Sequence, residues 1–155
     1  MNVEFVLNGR RVSAIVDADD SLYKMLRSLG MHSVKCGCET TNCGLCTVHM
    51  DGKAVLSCSV PAARCAGHEI TTLEGMQEEA ARLGACLAGE GAEQCGFCAP
   101  GLMMNVFALA KENPHATAAE IDAFLAGNLC RCSGYVSQRR AIMKYLEQVT
   151  GEVRA

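Results

Sequence analysis

Apolar and polar residues alternate at the start of the chain: Val3, Phe5 and Leu7 share one face, and Val12, Ala14 and Val16 repeat the pattern beyond Asn8-Gly9. An Asn-Gly pair between two alternating runs suits a two-residue hairpin turn, so two paired strands are predicted. Asp20-Ser21 then offers a helix N-cap, and Leu22, Met25, Leu26 and Leu29 recur at helical spacing until Gly30. A second hairpin is predicted from residues 46–50, the Asp51-Gly52 turn and residues 54–58, with a last strand over 69–73. Hairpin, helix, hairpin and closing strand make a small α+β unit of the β-grasp kind, although periodicity does not contain strand order.

Beyond about residue 75 the period changes from two to that of helices. One is predicted over 78–88 and a second over 100–111, stopped before Asn113-Pro114. Thr117-x-x-Glu120 is a capping box opening a third, with Gly127 at its far end. A fourth spans about 136–149, with Ala141, Ile142, Tyr145, Leu146 and Val149 as its apolar stripe. The expected architecture is therefore α+β: a β-grasp domain over 1–75 and an all-α four-helix bundle over 76–155. In the second helix Leu102, Met103, Met104, Val106, Phe107 and Leu109 wrap nearly every face, which predicts burial on most sides, mainly inside this chain.

Composition narrows the function classes. Half of the 155 residues are hydrophobic and 20% are charged, as in ordinary globular proteins. Net charge is −3 with the basic residues scattered, so the electrostatic footprint of a nucleic-acid binder is missing. The longest apolar stretch, 102–110, is much shorter than the roughly 20 residues of a membrane helix, and no span is expected. Met1-Asn2-Val3-Glu4 does not resemble a secretory signal, which leads to the expectation of a cytoplasmic protein. In that setting cysteine pairs at short spacing point to metal binding or redox chemistry.

Eleven cysteines carry the candidate chemistry. Cys38, Cys43 and Cys46 follow C-x4-C-x2-C with Cys58 downstream, the plant-type ferredoxin spacing for a [2Fe–2S] cluster. Cys95 and Cys98 form a C-x2-C pair, and Cys130 and Cys132 a C-x-C pair far along the chain; together they predict a second thiolate-bound cofactor. Gly37, Gly44, Gly96 and Gly134 suit loops that turn backbone N–H groups inward. Zinc also takes four thiolates, so a zinc-stabilised interaction module is the competing reading, and a free-standing ferredoxin-type shuttle is another. Cys36, Cys65 and Cys86 remain as expected buried free thiols. His32, His49, His68 and His115 share no ligand spacing, and no phosphate loop or nucleophile elbow occurs, so no catalytic residue is expected on this chain.

Two longer runs carry a resemblance: Gln94-Cys95-Gly96-Phe97-Cys98-x-Pro100-Gly101 and Asn128-Leu129-Cys130-Arg131-Cys132-x-Gly134-Tyr135. With Gly37-Cys38, Cys43-Gly44-x-Cys46 and Cys58, the chain resembles the small iron–sulfur subunits, or N-terminal segments, of the xanthine dehydrogenase-like molybdenum hydroxylases. The resemblance implies two [2Fe–2S] clusters, the first nearer a flavin and the second near a molybdopterin cofactor. It implies that Gln94 and Cys132 lie beside the pterin. It also implies a large molybdopterin-binding subunit and a medium FAD-binding subunit as partners, with substrate chemistry on the large one and electron transfer on this chain. Substrate class stays open among N-heterocycles including purines, aldehydes, carbon monoxide and aromatic thioesters.

Two departures from the family pattern matter. Glu39-Thr40-Thr41-Asn42 stands where glycines are usual, and Asn42 is expected to take the left-handed conformation that a β-branched threonine disfavours. Ala99 replaces a usual threonine; if that position caps the second helix, the loss costs about 0.5–2 kcal/mol.

Overall fold

A computed structural model describes residues 1–151 and assembles the predicted elements around two apolar cores. Strands β1 (Asn2–Leu7) and β2 (Arg10–Ile15) form the first hairpin, and β3 (Thr47–Met50) and β4 (Lys53–Leu56) the second. Both turns are of the predicted type: Asn8 and Gly9 have φ of 50° and 78°, Asp51 and Gly52 50° and 77°. Strand β5 (Glu69–Thr71) lies in the middle of the sheet, whose order is β2-β1-β5-β3-β4. It runs parallel to β1 and antiparallel to β3. Helix α1 (Leu22–Ser28), capped by the Ser21 hydroxyl, adds Leu22, Met25 and Leu26 to the core of Val3, Phe5, Val48 and Ile70. Each such side chain contributes roughly 1.5–3 kcal/mol by leaving water.

The second core lies among α2 (Gln77–Gly89), α3 (Ala99–Glu112), α4 (Ala118–Phe124) and α5 (Val136–Thr150), where Leu83, Leu87, Met104, Ile121, Ile142 and Leu146 are fully buried. Helix α3 packs on β3 and β4 as well as on α2 and α5, which is why apolar residues occupy almost its whole circumference. It is the seam between the halves. Buried His49 of β3 faces the Met104 carbonyl across that seam with Nε2 at 2.6 Å, so this nitrogen carries the proton and donates. Burial holds the imidazole below its usual range and neutral at physiological pH. No helix among the described residues is long and apolar enough to cross a membrane.

Several expectations need correction. The capping box at Thr117 and Glu120 forms, but α4 stops at Phe124, three residues short of Gly127, because Asn105 of α3 donates to the Phe124 carbonyl at 3.3 Å. Ala99 does not cap α3: Cys98 holds that position and Ala99 is buried inside the first turn, so the capping cost does not arise. Val149 is 41% exposed rather than part of the stripe, and the stripe instead starts at Gln138, 5% exposed. Cys65 and Cys86 are buried as expected, whereas Cys36 is exposed, its thiol donating to the Cys38 carbonyl at 2.8 Å. Residues 152–155, the end of the expected bundle, lie outside the described residues.

Candidate metal centres

The first four predicted cysteines come from two places in the β-grasp half. Cys38, Cys43 and Cys46 sit on the loop from α1 into β3, and Cys58 on the helical turn just after β4. Pairing β3 with β4 in the register Thr47 to Leu56 brings the turn holding Cys58 back beside Cys46. Their side chains meet in two pairs, Cys38 with Cys43 and Cys46 with Cys58. The other quartet is built from the two ends of helices: Cys95 and Cys98 precede α3, and Cys130 and Cys132 precede α5. Here too the sulfurs pair, Cys95 with Cys132 at 3.6 Å and Cys98 with Cys130. All eleven cysteines are free thiols.

Two by two is the division that a two-iron cluster needs, since each iron takes two thiolates; a zinc site gathers four around one point. The loops also aim donors at sulfur. Backbone N–H groups of Asn42 and then Thr40 hold the Cys38 thiol down at about 6. Burial acts to raise Cys130, yet the Ser133 side chain and backbone outweigh it and hold that thiol at about 7, with Ser133 N 3.4 Å from its sulfur. Burial, reinforced by a neighbouring sulfur, pushes Cys58 up to about 12 and Cys98 to about 11. The residues thus fit [2Fe–2S] groups: thiolates grouped in pairs, with N–H donors turned towards them.

Backbone crowding fixes the distance between the two sites. A Cβ on Gly44 would lie 2.4 Å from the Gly127 carbonyl oxygen, and one on Gly101 2.4 Å from that of Gly44. Only glycine permits so close an approach. The Leu129 N–H donates to the Cys43 carbonyl at 2.9 Å, so one hydrogen bond joins a residue of the first quartet to the neighbour of Cys130. Asn128, buried at the junction, donates to the Gly44 and Gly101 carbonyls and accepts from Asn105 at 2.6 Å. Asn128 and Leu129 belonged to a recognisable run, but nothing in their spacing pointed to contacts with Gly44 and Cys43, far back along the chain.

The two quartets differ in exposure. Cys43 and Cys46 are buried, whereas Cys95 and Cys132 face outward with Cys98 and Cys130 half-buried behind them. Gln94 is exposed and borders the same narrow cleft as Cys95 and Cys132, its amide donating to the Gly91 carbonyl at 3.2 Å. Phe97, Leu129, Tyr135 and Val136, flanking the second set of cysteines in sequence, are all at least 44% exposed. Tyr135 adopts φ 70°, unusual for a bulky residue, and its hydroxyl accepts from the Cys130 N–H at 2.9 Å. Sequence reasoning also missed Gln138, whose Nε2 lies 3.9 Å from the Cys98 sulfur. The available signal was its place three residues before Ala141, on the apolar face of α5.

In the first loop Thr41, not Asn42, takes the left-handed conformation, with φ 56°. The ring of N–H groups around Cys38 sets where the chain must turn, and that demand falls one residue earlier than side-chain preference suggests. A β-branched residue there is strained by about 1–2 kcal/mol, offset in a glycine variant by about 0.5–1 kcal/mol of backbone entropy. Thr41→Gly is therefore expected to raise stability by up to about 1.5 kcal/mol, read from the denaturant midpoint; a lower midpoint would contradict the strain. Cys36→Ser and Cys86→Ser are expected to leave iron content and both cluster spectra unchanged, since neither sulfur belongs to a pair.

Fold and sulfur arrangement define a two-centre iron–sulfur protein, and comparison with known proteins agrees. Residues 5–88 match the 2Fe-2S iron-sulfur cluster binding domain and residues 72–143 the [2Fe-2S] binding domain. The small FeS subunit of nicotinate dehydrogenase from Eubacterium barkeri is 36% identical over 96% of both chains. The iron-sulfur-binding subunit of xanthine dehydrogenase from Escherichia coli O157:H7 is 42% identical over 87% of each. A chain in the crystal structure of quinoline 2-oxidoreductase from Pseudomonas putida 86 superposes with a TM-score of 0.90 at 33% identity, covering 99% of this chain and 98% of that one. The chain belongs to the small [2Fe–2S] subunit family of the xanthine dehydrogenase-like molybdenum hydroxylases.

Proposed function

We propose that this chain is the electron-transfer subunit of a molybdenum hydroxylase complex, joining a large molybdopterin-bearing subunit to a medium FAD-bearing subunit. The carrying observation is the pair of sulfur quartets, one in each half, on loops joined by the hydrogen bond from the Leu129 N–H to the Cys43 carbonyl. Cys38, Cys43, Cys46 and Cys58 hold one [2Fe–2S] cluster, and Cys95, Cys98, Cys130 and Cys132 the other, in domains of residues 1–75 and 76–155. Bound clusters supply one-electron carriage between partners whose own chemistry moves electrons in pairs. The chain's residues set distance, burial and the hydrogen bonds to sulfur.

Gln94 and Cys132 meet the pterin: both are exposed, and the apolar side chains of Phe97, Leu129, Tyr135 and Val136 beside them suit a face that a large partner covers. A cytoplasmic setting is consistent with eleven free thiols. Substrate hydroxylation takes place on the large subunit, and the substrate class proposed is an N-heterocycle, the class named in relatives acting on nicotinate, nicotine and isoquinoline. Metal analysis of the anaerobic native complex tests the core of this reading. Two irons and two acid-labile sulfides per site are expected. Substantially less after reconstitution, or zinc in their place, would overturn it, and isolation of this chain as a lone iron-loaded monomer would favour a free shuttle.

A further inference from the structure

Gln138 is a polar side chain in an apolar place. It is 5% exposed, at the start of α5, on the face that continues as Ala141, Ile142, Tyr145 and Leu146. Leu102, Cys98 and Cys130 border the same small gap. Burying an amide there without a partner costs about 1–3 kcal/mol, so the position favours an apolar residue unless the amide is used. The Nε2 has the Cys98 sulfur at 3.9 Å, within the reach of an N–H···S hydrogen bond. The other inward sulfur, Cys130, is served by the Ser133 backbone N–H at 3.4 Å.

We propose that Gln138 is a positioning residue for the second centre: its amide donates to the Cys98 thiolate and raises the reduction potential of that centre selectively. The inference rests on Cys98 being a ligand of the second centre. Adding one electron increases negative charge on the ligand sulfurs, and a fixed donor stabilises that added charge more than the oxidised state. The amide neither gains nor loses a proton, so its contribution does not vary with pH. Gln138 comes from α5 while Cys98 starts α3, so the same contact also ties the packing of the two helices to the electronics of the site.

The test is a redox titration of the native complex, followed by electron paramagnetic resonance, for Gln138→Leu and Gln138→Met. Methionine matches glutamine in length and lacks the donor, so it preserves the packing if leucine does not. In both, the second midpoint is expected to move negative by about a tenfold change in the reduction equilibrium, about 59 mV for one electron, with the first midpoint unmoved. An unshifted or positive second midpoint in the leucine and methionine variants overturns the proposal, as does an equal shift of both midpoints. Cys98→Ala separates the two levels: survival of the second signal in that variant sinks the ligand assignment, whereas its loss beside unshifted Gln138 variants sinks the tuning role alone.

Discussion

Cys43→Ala is expected to remove one of two [2Fe–2S] signals in electron paramagnetic resonance, with half of the iron and acid-labile sulfide, and to leave the other signal unchanged. Cys98→Ala is expected to do the reverse. Cys43 is 4% exposed and pairs with Cys38 inside the β-grasp half, while Cys98 opens α3 and pairs with Cys130. Three thiolates cannot supply two to each iron. The backbone hydrogen bond between the halves uses the Cys43 carbonyl, which the substitution keeps, so the second quartet retains its support. Loss of both signals from either variant would mean that the two sets of sulfurs do not form independent centres.

Gly101→Ala is expected to destabilise the protein strongly, although glycine to alanine inside a helix ordinarily stabilises by about 1 kcal/mol. The added methyl would lie 2.4 Å from the Gly44 carbonyl oxygen and 2.9 Å from the Leu45 Cα, both backbone atoms that cannot swing aside. Relieving the overlap requires α3 and the first cysteine loop to separate, at a typical overpacking cost of about 1–3 kcal/mol. The hydrogen bonds from Asn128 to Gly44 and Gly101 and from Leu129 to Cys43 are strained with it, each worth about 0.5–1.5 kcal/mol. A net loss of about 3 kcal/mol is the expected result, measured by denaturant unfolding of the loaded protein. Unchanged or increased stability would show that the seam has slack and that helix propensity decides. Since this seam spaces the two centres, the variant is also expected to slow electron exchange between them.

Much of the molecule was decided by the sequence itself. Asn8-Gly9 and Asp51-Gly52 became the expected turns because a two-residue hairpin requires positive φ at both positions, a demand met within the dipeptide. The capping box at Thr117 and Glu120 formed for the same reason: donor and acceptor are three residues apart. The cysteine spacings picked out the sulfurs that the fold brings together in pairs, because C-x4-C-x2-C and C-x2-C place neighbouring side chains close to one another.

Tertiary structure decided the rest, wherever the partner was far along the chain. β5 enters between β1 and β3, an order that alternation cannot encode. Helix α4 ends where Asn105 takes its last carbonyl, not at the glycine that ends it on paper. Thr41 turns the first loop because the N–H groups around Cys38 require it there, and Cys36 faces outward beside Cys38, which it closely resembles in sequence. Gly44, Gly101, Asn128 and Gln138 acquire their meaning only when two loops and two helix ends meet, since close approach and burial are properties of pairs of segments and are absent from either one alone.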